Sequence, residues 1–467
     1  MKITTKWSVL FVLAVVLSAL MIAPAQAADH PLAGKSLKMS ILGIGGWVPS
    51  ALGVELAPEF AKFAKANYGY DVEFTFAEAP FDALFQKAAT SLAAKSQEYN
   101  IIISDSQWLG ALSEPGWIVK LNDIIAQNPE LDLKYWSEVA RASYSAYPDG
   151  SDNVWGFVQE GDVLILYVRK DLFLDQKNRG DFKAKYGYEL PANEDEWIDI
   201  DYVKFEQICE FFTRPAEDIY GTAIQYSKIY DFYTGSLYPF IWSKGGEIWD
   251  PKTRKIDGIL NTDENAKMLS LNANFQKYQP QGCLNFDIGA IVDVFTARKV
   301  ATAFQWAAMG PAMIPDDLKG NVWCVVPPGV RQPDGSVKRV YSLGGQPWVI
   351  NAFNDADHMQ CSIDFLKWWY TTETQLEFAR RGGNPILTDV LNSPGFDDIQ
   401  PWFKVYKIMM QDGYCSDFWH EPTYSELLST QQEGFSAFAA GNDLSPAAAR
   451  KVLDNIAKQQ QEILDAR

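Results

Sequence analysis

Residues able to hold a small polar solute recur on loops that follow short apolar runs. Trp47 follows the alternating Leu37, Met39 and Ile41 and the turn Gly43–Gly46. Asp105 and Trp108 follow Ile101–Ile103, and Trp306 follows Val300–Phe304 with polar Gln305 between. Glu160 stands in the polar step Gln159–Glu160–Gly161–Asp162, inside the stretch Trp155–Phe173. An indole face stacks on the apolar C–H face of a sugar ring, while carboxylates and amides meet its hydroxyl rim. Loops at the carboxyl edge of parallel strands are where open α/β sheets hold ligands. Each residue also has a plainer role open to it. Asp105 can cap the helix that follows, and Glu160 can pair with an arginine. Trp242, Trp249 and one of Trp368 and Trp369 can belong to the core.

The elements that must position these side chains are legible as patterns. Helical spacing at Leu56, Phe60 and Phe63, with Pro58 near its first turn, follows the first strand. Val72, Phe74 and Phe76 alternate, Leu84, Phe85, Ala88 and Leu92 form a second helical stripe, and Ile101–Ile103 is a buried strand. Strands alternating with helices predict a parallel sheet covered by helices. The stretch Trp155–Phe173 reads as two strand halves around Gly161, where glycine marks a bend or a close backbone approach. Such a strand can leave one compact unit and enter another, and Asn321–Pro328 is a second extended crossing. Residues 174–201 read as a polar loop. The acidic run Glu194–Asp201 reads as a solvated start to the helix carrying Phe205, Ile208 and Phe212, since it lacks the loop glycine of a calcium-binding EF-hand. From Asp355 onward the pattern is mostly helical.

The N-terminus speaks for export. Lys2 and Lys6 precede the apolar run Val9–Ala23, and Ala25–Gln26–Ala27 is an A-x-A cleavage site, so residues 1–27 read as a cleavable signal peptide with no lipid-anchoring cysteine after it. The 467 residues carry a formal charge of −18, which disfavours nucleic acid and anionic lipid as partners. The length is enough for two large lobes with separate cores. The five cysteines are too widely spaced for a CxxC motif and sit in apolar surroundings that suit buried thiols, although an oxidising compartment permits one or two disulfides. A GxSxG motif and an HExxH motif are both missing, and there are only three histidines. A glycoside hydrolase built on paired carboxylates needs none of these and is the alternative from another class.

The order of landmarks resembles family 1 extracellular solute-binding proteins of the maltose-binding type. The landmarks are NIIISDSQW, the crossover ending in Tyr167, Lys170, Asp171 and Leu172, YPFIWSKGGEIWD, GILNTDENAK, ARKVATAFQW, VVPPG, YSLGGQPWVI and FLKWWYTTETQLEFARRGGNPIL. Phe157–Val158–Gln159 departs from the proline usual at the crossover, and Ile386 stands where many sugar binders carry an arginine. The resemblance implies an α/β, two-lobed periplasmic-binding-protein fold of type II. Its expected division is 28–157 with 327–372 as lobe one and 158–326 with 373–467 as lobe two. It implies a periplasmic, monomeric binding protein, not an enzyme, with no cofactor or metal, that delivers a solute to the permease subunits of an ABC transporter. It places Trp306 as a stacking ring and aims two further loops into the cleft, giving Gln346 and Trp348 from one and Gly383 and Asn384 from the other. Aromatic and amide residues without a basic cluster favour a mono- or disaccharide or a polyol. A quaternary ammonium solute such as a betaine, caged by tryptophan and acid, is the runner-up.

Overall fold

A computed structural model describes residues 29–466; the expected signal peptide, residues 1–27, lies outside the described residues. In chain order it contains β1 (Ser36–Ile44), α1 (Val48–Tyr68), β2 (Asp71–Ala79), α2 (Phe81–Ala93), β3 (Ile101–Ile103), β4 (Phe157–Arg169), α3 (Gln176–Tyr186), α4 (Tyr202–Phe212) and α5 (Phe232–Lys244). There follow α6 (Asp263–Asn274), α7 (Ile288–Thr296), β5 (Thr302–Trp306), β6 (Val322–Val325), β7 (Val330–Arg331), β8 (Val337–Lys338) and β9 (Tyr341–Ile350). The chain ends with α8 (Ala356–Trp369), α9 (Thr372–Arg380), α10 (Phe403–Met409), β10 (Cys415–Ser416), α11 (Tyr424–Ala439) and α12 (Pro446–Asp465). No helix among the described residues is long and apolar enough to cross a membrane.

The first lobe is the parallel sheet expected from the alternating pattern. β1 pairs in parallel with β2 along its whole length and with β3 through Ile41 and Leu42. The helix after β1 starts earlier than the stripe suggests. Trp47 is its extended N-cap and Pro49 lies in its first turn, so Pro58 falls inside the helix, which stops where Gly69 turns left-handed at φ 75°. In the second lobe Asp201 caps α4 through the Lys204 N–H (2.9 Å) and pairs with Arg331 (2.7 Å), so the acidic run serves a helix start and an ion pair. Residues 176–186 form a helix and not the expected loop. An Asp175 cap and a left-handed Gly187 bound it, and with only Asn178 and Phe182 buried it has too narrow an apolar face to show as periodicity. The five cysteines are free and buried.

Two long strands belong to both lobes. β4 is buried at every position. Its first half, Phe157–Val163, pairs antiparallel with β9, and its second half pairs with β5 through Leu164–Val168 and with β6 through Leu166–Arg169. β9 in turn continues to β3 through Trp348–Ile350. At the centre of this ladder Gly161 faces Gly345, and the register slips by one residue between Val158 and Glu160. A side chain at 161 would meet the Tyr406 hydroxyl at 2.5 Å, and one at 345 would meet the Glu160 carbonyl at 2.7 Å where φ is already +96°. The second extended segment, Asn321–Pro328, contains β6. That segment pairs through Val322–Val325 with the second half of β4, and its Pro327 carbonyl accepts from Arg339 Nε (3.0 Å). β9 pairs with β10 at Tyr341 and Ser342 and with β3 at Trp348–Ile350, with Gly344–Gly345 between. Residues 373–391 pack with Phe378 against Trp369 (5.1 Å) and Thr388 on the Tyr135 carbonyl (2.8 Å).

Away from this ladder the lobes touch again. Gln107 Nε2 donates to Asp231 Oδ2 (2.8 Å), and Phe85 meets Tyr424 edge-on (5.2 Å). His420 lies between Asp149 of the first lobe (2.6 Å) and Asp417 (3.3 Å). Burial pulls the imidazole down, but the two carboxylates outweigh it and push it up to about 10, so it is a cation at neutral pH. Removing one member of a buried ion pair leaves the others uncompensated, at a cost of about 3–5 kcal/mol. His420→Ala should therefore lower the melting temperature and enlarge the radius of gyration in small-angle scattering; an unchanged melt with unchanged scattering would show that the contact does not hold the lobes.

Candidate functional site

A cavity of about 30 Å³ lies where the lobes meet the ladder. Its walls come from five places: the ends of β1 and β3, the N-terminus of α2, the segment leading into α5, the N-terminus of α7, and the β4–β9 ladder with the end of β5. Of the nine expected residues, Trp47, Asp105, Trp306 and Gln346 line it. A space of this size holds about two waters, so a sugar-sized solute enters only when the lobes part.

Trp47 earns its place through its position before α1. The N-cap backbone turns the indole inward, and Nε1 donates to Gln346 Oε1 (2.7 Å) and Glu160 Oε1 (3.0 Å). Its ring meets Phe81 edge-on at 5.4 Å. Glu160 is thus held just behind the wall, with its second oxygen buried and without a hydrogen-bond partner. Asp105 caps the short turn Ser106–Trp108 through the Gln107 N–H (3.3 Å), so the plainer reading of this residue and its place in the wall hold together. Trp306 ends β5, and its ring packs over Gly344, where a Cβ would come within 2.8 Å.

The other expected residues lie elsewhere. Trp108 is fully buried behind the wall against Phe85 (5.5 Å) and Tyr424 (6.4 Å), because the turn after Asp105 directs Gln107 into the cavity instead. Trp348 is four residues beyond Gly344 on β9, about 13 Å along the strand, and packs edge-to-face on Phe365 and Trp369 (5.4 Å each). Gly383 makes room for the Phe378 ring, 2.2 Å from where its Cβ would be. Asn384 ties the loop to the ladder, accepting from Trp402 Nε1 (2.8 Å) and, through its carbonyl, from the Gly161 N–H (2.9 Å).

Several wall residues escaped the sequence reading. Gln107, Asp162, Tyr230, Asp231 and Phe232 all line the cavity. Asp162 lay in the polar step beside Glu160, and the aromatic and acidic cluster at 230–233 precedes an apolar helix, which is the only local signal for it. Tyr230 is held at φ 49°, a region that costs a non-glycine residue about 1–3 kcal/mol. Its ring is fixed there by stacking on Phe81 (5.5 Å) and by Trp108 (6.3 Å).

The electrostatics of the wall are one-sided. Burial, reinforced by Asp231 and Asp417, pushes the Asp105 carboxyl up to about 8, against the lowering pull of the Gln107 N–H and the Tyr230 hydroxyl. Burial likewise pushes Asp231 up to about 7 although Gln107 donates to it. Glu160 is raised well above its ordinary value by burial and by Asp162, and Asp162 by burial despite donation from the Ala308 and Val163 N–H groups. No lysine, arginine or histidine lines the cavity among the described residues, and no group of three or more His, Cys, Asp or Glu is arranged to hold a metal among them. The arrangement can accept hydrogen bonds from a solute between aromatic faces, and perturbed carboxyls gathered at one cavity are the usual mark of a binding site.

Solved structures share this architecture. An ABC transporter solute-binding protein from Agrobacterium radiobacter in complex with ribitol superposes with a TM-score of 0.71 at 20% identity, covering 93% of this chain and 100% of that one. Maltose-bound MalE3 of T. maritima gives 0.71 at 18% identity, over 91% and 100%. An ABC transporter solute-binding protein from Agrobacterium vitis with bound D-mannitol gives 0.66 at 14% identity, over 92% and 99%. No curated protein matches. At these identities the structures speak for the two-lobed fold alone. The family is carried by residues 60–403, which match the model of the bacterial extracellular solute-binding proteins, and the chain belongs to that family.

Proposed function

We propose that this protein is the exported, periplasmic binding component of an ABC importer. It captures a small carbohydrate or polyol between its lobes and presents it to the membrane permease. The observation that carries this reading is the composition of the cavity: the Trp306 ring on one side, and carboxyl and amide groups from both lobes around it. The ribitol, maltose and mannitol complexes of the similar proteins support the same class of solute. Asp105 and Gln107 come from the first lobe and Asp231 and Trp306 from the second, so a solute completes its contacts only when both close on it. The solute then favours the closed arrangement, and the permease reads closure as occupancy. We place the hinge at the facing glycines 161 and 345, with the register slip beside them. Thermal-shift screening of sugars and polyols tests the reading. Stabilisation by a member of this class supports it, and turnover of aryl glycosides would replace it with the hydrolase.

Trp306→Ala should weaken binding about tenfold or more, since a stacked aromatic contributes about 1–3 kcal/mol. The ring also fills space beside Gly235 and Gly344, so the melting temperature falls as well. Trp306→Phe keeps a face for stacking and should recover part of both losses in calorimetric titration. Full affinity in the alanine variant would remove Trp306 from the site.

The wall also sets a pH dependence. A folded carboxyl held near 8 at Asp105 and near 7 at Asp231 keeps protons that the unfolded chain releases near 3.8. The stability these groups contribute is complete below about 3.8 and is lost as pH rises through about 7 and 8. Asp231→Asn should flatten the fall of melting temperature between pH 4 and pH 8. A slope equal to that of the parent would show that Asp231 is not held protonated.

A further inference from the structure

Three side-chain atoms of the wall are buried without a hydrogen-bond partner: the Gln107 oxygen, Asp162 Oδ2, which accepts once its carboxyl is ionised, and the Tyr230 hydroxyl. Asp162 Oδ1 accepts from Val163 N–H (2.8 Å) and Ala308 N–H (3.0 Å), while Oδ2 is buried without a partner. Gln107 gives its NH₂ to Asp231, and its oxygen is buried without a partner. Two donors nearby are already engaged, Trp47 Nε1 by Glu160 and Gln346 and the Trp306 backbone N–H by Gln305 Oε1 (3.0 Å). Gln346, whose oxygen is held by Trp47, leaves its own NH₂ as a donor on the wall. A sugar hydroxyl brings one donor and two lone pairs, whereas an ammonium group brings three donors and no acceptor. The aromatic walls, Trp306, Phe232, Tyr230 and Phe81, offer ring faces to a cation as readily as to a C–H surface.

On this basis, and resting on the carbohydrate reading above, we infer that the cavity selects a polyhydroxylated solute bearing a protonated amine, an amino sugar or amino polyol, over its neutral counterpart. The amine lies among Asp105, Asp162 and Asp231, and the hydroxyl end reaches Gln346. The groups facing these carboxyls are themselves acidic or neutral. Asp105 faces Asp231, Asp417, Tyr230 and Tyr424, and Asp162 faces Glu160, Tyr144, Tyr167 and Tyr406. His420, the cation beside Asp417, is spent on Asp149 and Asp417, and Lys228 lines the neighbouring space and not this cavity. An arriving ammonium therefore meets no competing positive charge, and the carboxyls give up their protons as it binds.

The test is calorimetric titration of the full protein with matched pairs, sorbitol against 1-amino-1-deoxysorbitol and glucose against glucosamine, at pH 5.5 and pH 7.5. The amine of at least one pair should bind about tenfold tighter or more, the equivalent of one well-placed charged contact. Its advantage should grow at the higher pH, with proton release seen as a dependence of the heat on buffer ionisation. Asp231→Asn should lose most of that advantage, and if this variant does not fold the matched pairs on the parent protein decide alone. A neutral member binding as tightly as its amine overturns the inference and leaves the carbohydrate reading standing. Binding of spermidine or glycine betaine, with no sugar or polyol of either kind bound, overturns both.

Discussion

The antiparallel ladder between β4 and β9 is the constraint on which the rest of the molecule depends. Both strands run from one lobe into the other, so their pairing holds the lobes together and fixes the floor of the cavity at the same time. Side chains on β4 alternate between faces, which places Asp162 on the cavity and Val163 in the core, while along β9 Gln346 lines the cavity and Trp348, two residues further on, packs in the core beyond it. Where the two backbones come closest, Gly161 faces Gly345, and neither position has room for a side chain. A ladder without side chains at one step bends there more readily than elsewhere. The same step borders the cavity, because Asp162, Gly344 and Gln346 flank it and line that space, with Glu160 just behind.

Gathering acidic groups at such a floor is costly. A buried carboxylate loses its hydration, and like charges nearby add to the penalty. The structure compensates in part with neutral donors, the Trp47 indole for Glu160, two backbone N–H groups for Asp162, and the Gln107 amide for Asp231. Burial holds the carboxyls toward their protonated forms, and among the described residues no lysine, arginine or histidine lines the cavity to oppose it. Paired surface carboxylates such as Asp199 move the opposite way, drawn down by Lys204 and Arg331. The contrast marks the cavity as a place where the chain withholds compensation that it supplies elsewhere.

Much of this architecture is written locally. The alternation of Leu37, Met39 and Ile41, the stripe of Leu56, Phe60 and Phe63, and Ile101–Ile103 lead directly to β1, α1 and β3, because each pattern reports only its own burial. What depends on a partner is harder to read. The apolar run of Asn321–Val326 looks like a crossing strand, yet β6 pairs only with the second half of β4, and sequence holds no record of which half. Trp306 follows polar Gln305 at the end of β5 and Trp348 follows Pro347 within β9, but only Trp306 lines the cavity. Asp231 and Tyr230 were not legible because their chemistry comes from meeting Gln107 and Phe81, more than a hundred positions earlier in the chain.

The contacts between lobes and the contacts available to a solute are drawn from one set of groups. Gln107 reaches across to Asp231, and both line the cavity. Phe81 stacks on Tyr230, and both line it too. A solute that enters must share or displace these bonds, so its binding energy is the difference between what it makes and what the lobes already make with each other. That difference is small for a solute that merely replaces one hydrogen bond with another. It is large for one that satisfies Asp162 Oδ2 and the Gln107 oxygen, because those atoms are buried and unpartnered and an unmet buried acceptor costs about 1–3 kcal/mol. The pairing of Asp149 with His420 lies outside this exchange, since neither residue lines the cavity. It can therefore hold the lobes near one another without taking part in recognition, which leaves discrimination between solutes to the atoms of the wall that the fold itself leaves unsatisfied.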